Sequence, residues 1–342
     1  MKAQELRAVT DLHHNPDPLV LCEREISSPG PGELLLRVLA CGVCHTELDE
    51  IEGRTPPSRL PVIPGHQVVG RVESCGTGVT AYDIGDRVGV AWIFWACGHC
   101  DFCQRGLENL CPDFRATGRD ADGGYAEFML VPQEFACPIP DSLDDIETAP
   151  LLCAGAIGYR SLKLTGLQNG EPLGLTGFGG SGHLVLKLAR YLYPDSKIFI
   201  FARTLLERRF GLDLGAAWAG DTTDTPPTAL QAVIDTTPAW KPVLAAMEHL
   251  RPGGRLVINA IRKEDTDRDL LADLDYSRHL WLEKEIKSVA NVCRSDVREF
   301  LKLAAELDIR PQVEVYPLEE ANRALIDLKN GAVRGAKVLA ID

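Results

Sequence analysis

The segment LGLTGFGGSGHLVLKLARYL (173–192) constrains this chain more than any other: an apolar, strand-like run enters a turn carrying Gly177, Gly179, Gly180 and Gly182 and leaves as an amphipathic helix. Glycines there allow a tight turn and close approach of backbone to a bound group, and the start of the following helix offers unpaired N–H groups to a phosphate. A glycine pattern alone is weak and is met in purely structural turns. Here it lies between a strand and a helix, with a second strand expected at KIFIF (197–201), which supplies the βαβ setting the motif requires.

The same rhythm continues from about residue 156 to 290. AVID (232–235), RLVINA (255–260) and IKSVA (286–290) predict further strands of a parallel sheet covered on both faces by helices. The first 150 residues differ: ELLLRV (33–38), VVGRVES (68–74), DRVGVAW (86–92) and AEFMLV (126–131) are short β-rich runs punctuated by Gly and Pro, which suggests a distorted β-barrel. After 290 a helix (296–307), a strand near Val313–Tyr316, a helix (318–329) and a closing strand near Lys337–Ile341 are expected to return to the first domain. At 342 residues the chain exceeds the roughly 250–300 at which one core stops growing. We therefore divide it into a barrel domain, 1–155 plus 291–342, and a doubly wound parallel-sheet domain, 156–290. Ligands of such α/β proteins bind at the carboxyl ends of the parallel strands, so the site is expected in the interdomain cleft.

Charge excludes two classes of partner. With 36 basic and 49 acidic residues the net charge is -13, which repels nucleic acid and anionic membrane surfaces. The N-terminal MKAQELRAVTDLHH lacks the apolar core of an export signal, and no run approaches the roughly 20 apolar residues that span a bilayer. A cytoplasmic protein is expected.

Eleven cysteines could be a disulfide framework, buried hydrophobes or metal ligands, and their clustering favours metal. ACGHCDFCQRGLENLC carries Cys97, Cys100, Cys103 and Cys111, a spacing that lets a tight loop wrap four thiolates around a tetrahedral zinc. Such a closed sphere leaves no place for substrate and stabilises a lobe. A second set is dispersed: Cys44 in CGVCHTELDE, His66 in PVIPGHQVVG and Cys153 in APLLCAGAIGY. Two thiolates and an imidazole leave a fourth position open, as catalytic zinc requires, although each residue taken singly reads as a packed thiol or a hydrogen-bonded histidine.

CxxCHT at 41–46, GHxxxG at 65–70, GDRV at 85–88, the four-cysteine lobe and GxGGxG at 177–182 together resemble the zinc-containing medium-chain alcohol dehydrogenases over essentially the whole chain. The resemblance implies an α/β protein with a GroES-like β-barrel catalytic domain and a Rossmann domain, and two zinc ions per chain. It implies that Cys44, His66 and Cys153 hold the catalytic zinc, that Thr46 hydrogen-bonds the substrate oxygen and that His45 lies near the cofactor pyrophosphate. It further implies a homodimer or homotetramer joined through the cofactor domains. The reaction implied is hydride transfer between NAD(P) and a small primary aliphatic or aromatic alcohol or aldehyde.

The chemistry of these residues agrees. Zinc lowers the pKa of bound water from roughly 15.7 to about 7 and acts likewise on an alcohol, while the Thr46 hydroxyl can accept a proton and pass it on. Many relatives continue that relay to a histidine where this chain has Asp49, so either Asp49 or solvent is the terminal base. Relatives usually carry Asp where this chain has Glu47 and Glu where it has Gln67. A carboxylate normally orients a zinc-bound imidazole. Glu47 keeps the charge with one more methylene. Gln67 removes a charge, which either strengthens polarisation of the bound oxygen or reflects only a hydrogen bond within the core.

An NAD-preferring Rossmann fold places Asp or Glu at the end of the second strand. Here that position is Ala202, followed by Arg203, an arrangement suited to a 2′-phosphate, so NADP(H) is expected over NAD(H). Alternatively Arg203 points to solvent or stacks on adenine and both cofactors are used. Trp92, Phe94 and Trp95 after GDRV either line an aromatic substrate pocket or pack beneath the lobe. Two rivals remain. One is a double-bond reductase lacking catalytic zinc, against which the three ligands argue. The other is a non-catalytic NADP-binding sensor or scaffold that keeps the fold and structural zinc.

Overall fold

A computed structural model describes residues 1–331 and 335–341, without the side chains of Gly180 and Ser181. The chain forms two compact units, Met1–Ala156 with Val292–Asp342, and Ile157–Asn291.

The first unit begins with strands β1 (Lys2–Leu6), β2 (Leu19–Glu23) and β3 (Glu33–Val43), followed by helix α1 (His45–Ile51). Strands β4 (Val68–Cys75), β5 (Arg87–Val90) and β6 (Ile93–Trp95), helix α2 (Asp101–Gln104) and strands β7 (Arg115–Ala116), β8 (Phe128–Pro132) and β9 (Ala136–Pro138) come next. The 11-residue β3 organises this unit. One edge pairs with β4, and the other is shared between β8, along Glu33–Arg37, and the closing strand of the chain, along Ala40–Val43. Register shifts between Leu35 and Leu36 and between Val38 and Ala40 bend β3, so the sheet curls around Leu34, Leu36, Val38, Val72 and Met129. The run expected as a strand over 86–92 forms β5 over Arg87–Val90 in the curled sheet, and beyond it β6 pairs with β7 in a separate ribbon beside the cysteine loop.

Helix α3 (Asp145–Pro150), a π-helical turn (Leu151–Gly155) and helix α4 (Ala156–Thr165) lead into the second unit. There β10 (Leu173–Thr176), α5 (Gly180–Leu192), β11 (Ile198–Phe201), α6 (Leu205–Asp213), β12 (Trp218–Gly220), β13 (Leu230–Asp235), α7 (Lys241–His249), β14 (Leu250–Ile258) and β15 (Glu285–Ser288) form a parallel sheet in the order β12-β11-β10-β13-β14-β15. β10 and β11 are buried along their whole length, which is why they read as unbroken apolar runs. Strand order reverses direction at β10, between β11 and β13, which creates a switch point beside the glycine turn. The short β12 was not anticipated; its three residues are too few to show a strand period.

Helix α8 (Arg294–Glu306), strand β16 (Val313–Pro317), helix α9 (Ala321–Lys329) and strand β17 (Ala336–Ala340) complete the first unit, with β17 against β3. Among the described residues no helix is long and apolar enough to cross a membrane.

Candidate active site

The end of β3 delivers Cys44 as the residue that caps α1, and its backbone N–H donates to Glu47 Oε2 at 2.8 Å. His66 follows Gly65, whose φ of +99° and close neighbours exclude a side chain: a Cβ there would lie 2.4 Å from Tyr125 Cδ1 and 2.8 Å from Cys41 Sγ. Cys153 sits in the π-helical turn, a distortion frequent at functional sites. These three distant segments bring the ligand atoms of Cys44, His66 and Cys153 within 4.8 Å of one another.

The histidine decides what this cluster is suited to hold. Glu47 Oε1 lies 2.5 Å from His66 Nδ1, so the carboxylate can accept a hydrogen bond from the ring N–H there. His66 Nε2, on the opposite side of the ring, is buried and without a hydrogen-bond partner among the described residues. A buried ring nitrogen left unpartnered beside two thiols is costly, and a cation bound by all three would satisfy it. The hydrogen bond from Cys153, and next the His66 ring, hold the Cys44 thiol well below its ordinary pKa, while that bond and burial push Cys153 well above. Burial lowers the His66 pKa, but the charges of Glu47 and Cys44 outweigh it and raise the ring well above its ordinary value.

In the lobe the four thiols of Cys97, Cys100, Cys103 and Cys111 also lie within 4.8 Å of one another. Backbone N–H groups of Cys100 and Cys97 donate to Cys97 Sγ and Cys111 Sγ, each at 3.4 Å, as in a loop folded around thiolates. A backbone N–H at His99 holds Cys97 down to about 6, whereas burial pushes Cys103 up to about 12. The lobe is tied to the start of α8 by Arg294 on Glu108 at 2.8 Å and by Cys293 Sγ on Asn109 Oδ1 at 2.9 Å.

In the second unit Gly177 adopts φ +76°, and Thr236 and Thr237 fill the space a Cβ would need, at 2.8 and 2.9 Å. Gly182 approaches the Gly177 carbonyl, 2.9 Å from its would-be Cβ, and Gly179 faces open space. Gly180 starts α5, and its surroundings lie outside the described residues.

The Alcohol dehydrogenase GroES-like domain model matches residues 30–141 and the Zinc-binding dehydrogenase model residues 216–339. "Probable alcohol dehydrogenase AdhA" of Mycobacterium tuberculosis is 47% identical over 329 residues, covering 95% of this chain and 93% of that protein. The chain belongs to the zinc-containing medium-chain alcohol dehydrogenases. An alcohol dehydrogenase of Geobacillus stearothermophilus is 34% identical over 336 residues, 95% of this chain and 97% of that one. Among solved structures, a cinnamyl alcohol dehydrogenase of Sorghum bicolor matches with a TM-score of 0.84 at 28% identity, covering 99% of this chain and 97% of that one. The curled sheet is thus a GroES-like barrel and the parallel sheet a Rossmann fold, and the protein is an alcohol dehydrogenase and not a scaffold that has lost its chemistry.

In this dehydrogenase Thr46 is buried, with its hydroxyl oxygen 3.7 Å from Cys44 Sγ, and His45 is exposed at the first position of α1. Asp49 departs from its suggested part as terminal base: it is buried with its carboxylate 2.5 Å from Arg54 Nε, so it anchors the turn after α1. The Gln67 side chain lies over Gly42, 2.4 Å from where a Cβ would be, and so packs within the core. The three aromatics diverge. Trp92 packs at a tilt against Phe114 and beneath Arg119, Trp95 lies beneath Arg115, and Phe94 lines a separate cavity of about 230 Å³ with Met1 and Arg24.

Ala202 is buried at the end of β11 and Arg203 is exposed beside it. Sequence reasoning passed over Arg208, whose guanidinium bonds the Ala202 and Arg203 carbonyls at 2.7 and 3.1 Å and pairs with Asp221. It also passed over Glu50, buried behind the metal cluster, whose carboxyl is pushed well above the usual range by burial and by Glu47. Asn259, with a buried amide nitrogen lacking a partner among the described residues, was missed too. No motif signals these positions, because each depends on contacts between distant segments. A cavity of about 520 Å³ bounded by Lys241, Glu248, His249, Arg278 and His279 includes no residue of the metal clusters or the glycine turn.

Proposed function

We propose that the chain binds two zinc ions, one closed in by Cys97, Cys100, Cys103 and Cys111 and one held by Cys44, His66 and Cys153, and that it interconverts primary aliphatic or aromatic alcohols and aldehydes. The observation carrying this reading is the bare, buried His66 Nε2 beside two thiols, with Glu47 fixing the opposite nitrogen. Zinc in that open set supplies Lewis acidity that favours loss of the alcohol proton, and the nicotinamide supplies the hydride acceptor or donor. The protein's own groups do the rest. Glu47 fixes the imidazole tautomer with one oxygen and the Cys44 backbone with the other. The Thr46 hydroxyl receives the proton and hands it to solvent, because Asp49 is engaged by Arg54. The cinnamyl alcohol dehydrogenase likeness supports primary alcohols with unsaturated or aromatic groups as substrates.

The dinucleotide is bound by Gly177, Gly179, Gly180 and Gly182, with His45 near its pyrophosphate. The absence of an acid at Ala202 and the exposed Arg203 support NADP(H) over NAD(H). The barrel unit carries the catalytic machinery and the Rossmann unit the cofactor. A homodimer through the Rossmann unit is supported by β15, an exposed edge strand with Ile286 45% exposed, and by Trp281 and Leu282 in the turn before it, 54% and 51% exposed. Thiolate metal sites call for a reducing compartment, which supports the cytoplasm.

The test is the initial rate of reduced-nicotinamide consumption with benzaldehyde and with hexanal, using NADPH or NADH, before and after chelation. Chelator-sensitive turnover faster with NADPH is expected. Turnover favouring NADH would remove the cofactor preference, and turnover indifferent to complete zinc removal would remove the open-site reading.

A further inference from the structure

Three strands end together beside the glycine turn: β10 at Thr176, β13 at Asp235 and β14 at Ile258. Asp235 is fully buried there. Its Oδ1 accepts from Thr176 Oγ1 at 2.5 Å, Thr237 Oγ1 at 2.8 Å and the Thr237 N–H at 3.3 Å, and its Oδ2 faces the ammonium of Lys263. Lys263 arrives from the loop after β14 with a side chain only 9% exposed. An ammonium has three N–H donors. Here one goes to Asp235, one to the Thr237 carbonyl at 2.8 Å and one to the Ala239 carbonyl at 2.9 Å, with the Trp240 ring 5.9 Å away.

The segment so gripped, 235–239, is the one that backs the glycine turn. Thr236 Oγ1 donates to the Thr176 carbonyl at 3.0 Å and reaches the Gly177 carbonyl at 3.3 Å, and Thr236 and Thr237 occupy the space beside Gly177. A buried ion pair adds little stability over well-packed apolar residues, so stability alone is a weak account of this one. Its place at the carboxyl ends of the parallel strands is where α/β sheets bind their ligands.

We propose that Lys263 is a positioning residue for the dinucleotide: paired with Asp235 and bonded to the carbonyls of Thr237 and Ala239, it fixes the wall that holds the Gly177 turn in its binding shape. This rests on the reading that the turn binds the dinucleotide. Because the wall meets the turn and not the Ala202–Arg203 end of β11, it acts equally on both dinucleotides, which differ only in the 2′-phosphate.

The experiment titrates zinc-loaded wild type, Lys263→Met and the double variant Asp235→Asn with Lys263→Met with NADH and NADPH. Dissociation constants come from quenching of intrinsic tryptophan fluorescence, alongside melting temperatures and kcat at saturating cofactor. The double variant removes the buried carboxylate left unpaired in the single one, so it keeps the test usable if Lys263→Met fails to fold. The expected result is a dissociation constant raised about tenfold for both dinucleotides in the double variant, with their ratio and kcat unchanged. Wild-type affinity in a folded double variant would overturn the proposal, whatever its melting temperature, and so would a change confined to NADPH. Wild type binding neither dinucleotide would instead defeat the underlying reading of the turn.

Discussion

At the scale of single residues the Cys44–His66–Cys153 cluster turns on Glu47, which bonds the Cys44 backbone and the His66 ring at once. Glu47→Ala frees the His66 tautomer and leaves the Cys44 N–H unpaired, so zinc affinity and kcat/KM are expected to fall about 10–100-fold. Zinc content after dialysis against graded chelator, with kcat/KM at each step, checks this; unchanged retention would show that the imidazole needs no orienting partner. Asp49 and Arg54 make the opposite case. Asp49→Asn is expected to leave the pH profile of alcohol oxidation in place while lowering stability by about 1 kcal/mol, since Arg54 is 34% exposed and water offsets part of the loss. A pH profile displaced by the substitution would restore Asp49 as terminal base. For Arg203, replacement by Ala is expected to reduce the NADPH-to-NADH efficiency ratio several-fold, about the effect of one charge-assisted contact to the 2′-phosphate. A ratio indifferent to the change would assign Arg203 to solvent.

At the scale of elements, much of this molecule is legible in its sequence. β10 and β11 betray themselves because burial on both faces demands uninterrupted apolar residues, and the glycine turn between β10 and α5 because only glycine fits beside Thr236 and Thr237. Cys44, His66 and Cys153 are recognisable through their motifs, yet their convergence to within 4.8 Å depends on three elements that no local pattern relates. The demand for glycine at the end of the π-helical turn holding Cys153 is invisible because it is set about 145 residues further on: Phe300, on α8, fills the space a Cβ of Gly155 would need, at 2.1 Å from Cε1 and 2.5 Å from Cζ. The Asp235–Lys263 pair and Arg208 are hidden for the same reason. Gly155→Ala is therefore expected to drive the turn away from Phe300, at a strain of about 1–3 kcal/mol, and to misplace Cys153. Metal analysis of the purified variant should find close to one zinc per chain where wild type has two, the lobe ion remaining. Phe300→Leu in the same chain should restore part of the loss. Two tightly held zincs in Gly155→Ala would mean that the turn tolerates the displacement without moving its ligand.

At the scale of the whole molecule, an exposed sheet edge flanked by a few apolar groups and a large net charge pull in opposite directions. β15 is exposed at every residue, and the preceding turn carries Trp281 and Leu282 into solvent. Soluble chains usually protect such an edge, because its unpaired N–H and C=O groups recruit a second strand. Pairing two copies of β15 would join two six-stranded sheets into one and cover these apolar groups through a self-complementary contact. Against this, each copy brings a charge of -13, so association should strengthen as salt screens the repulsion. Light scattering coupled to gel filtration at low and at physiological ionic strength is expected to show a dimer that tightens with salt. Ile286→Lys, which sets two like charges near the paired edge, is expected to weaken the dimer about a hundredfold or more. A monomeric variant that still binds NADPH like wild type would separate assembly from cofactor binding, whereas a dimer untouched by the substitution would move the interface to another face.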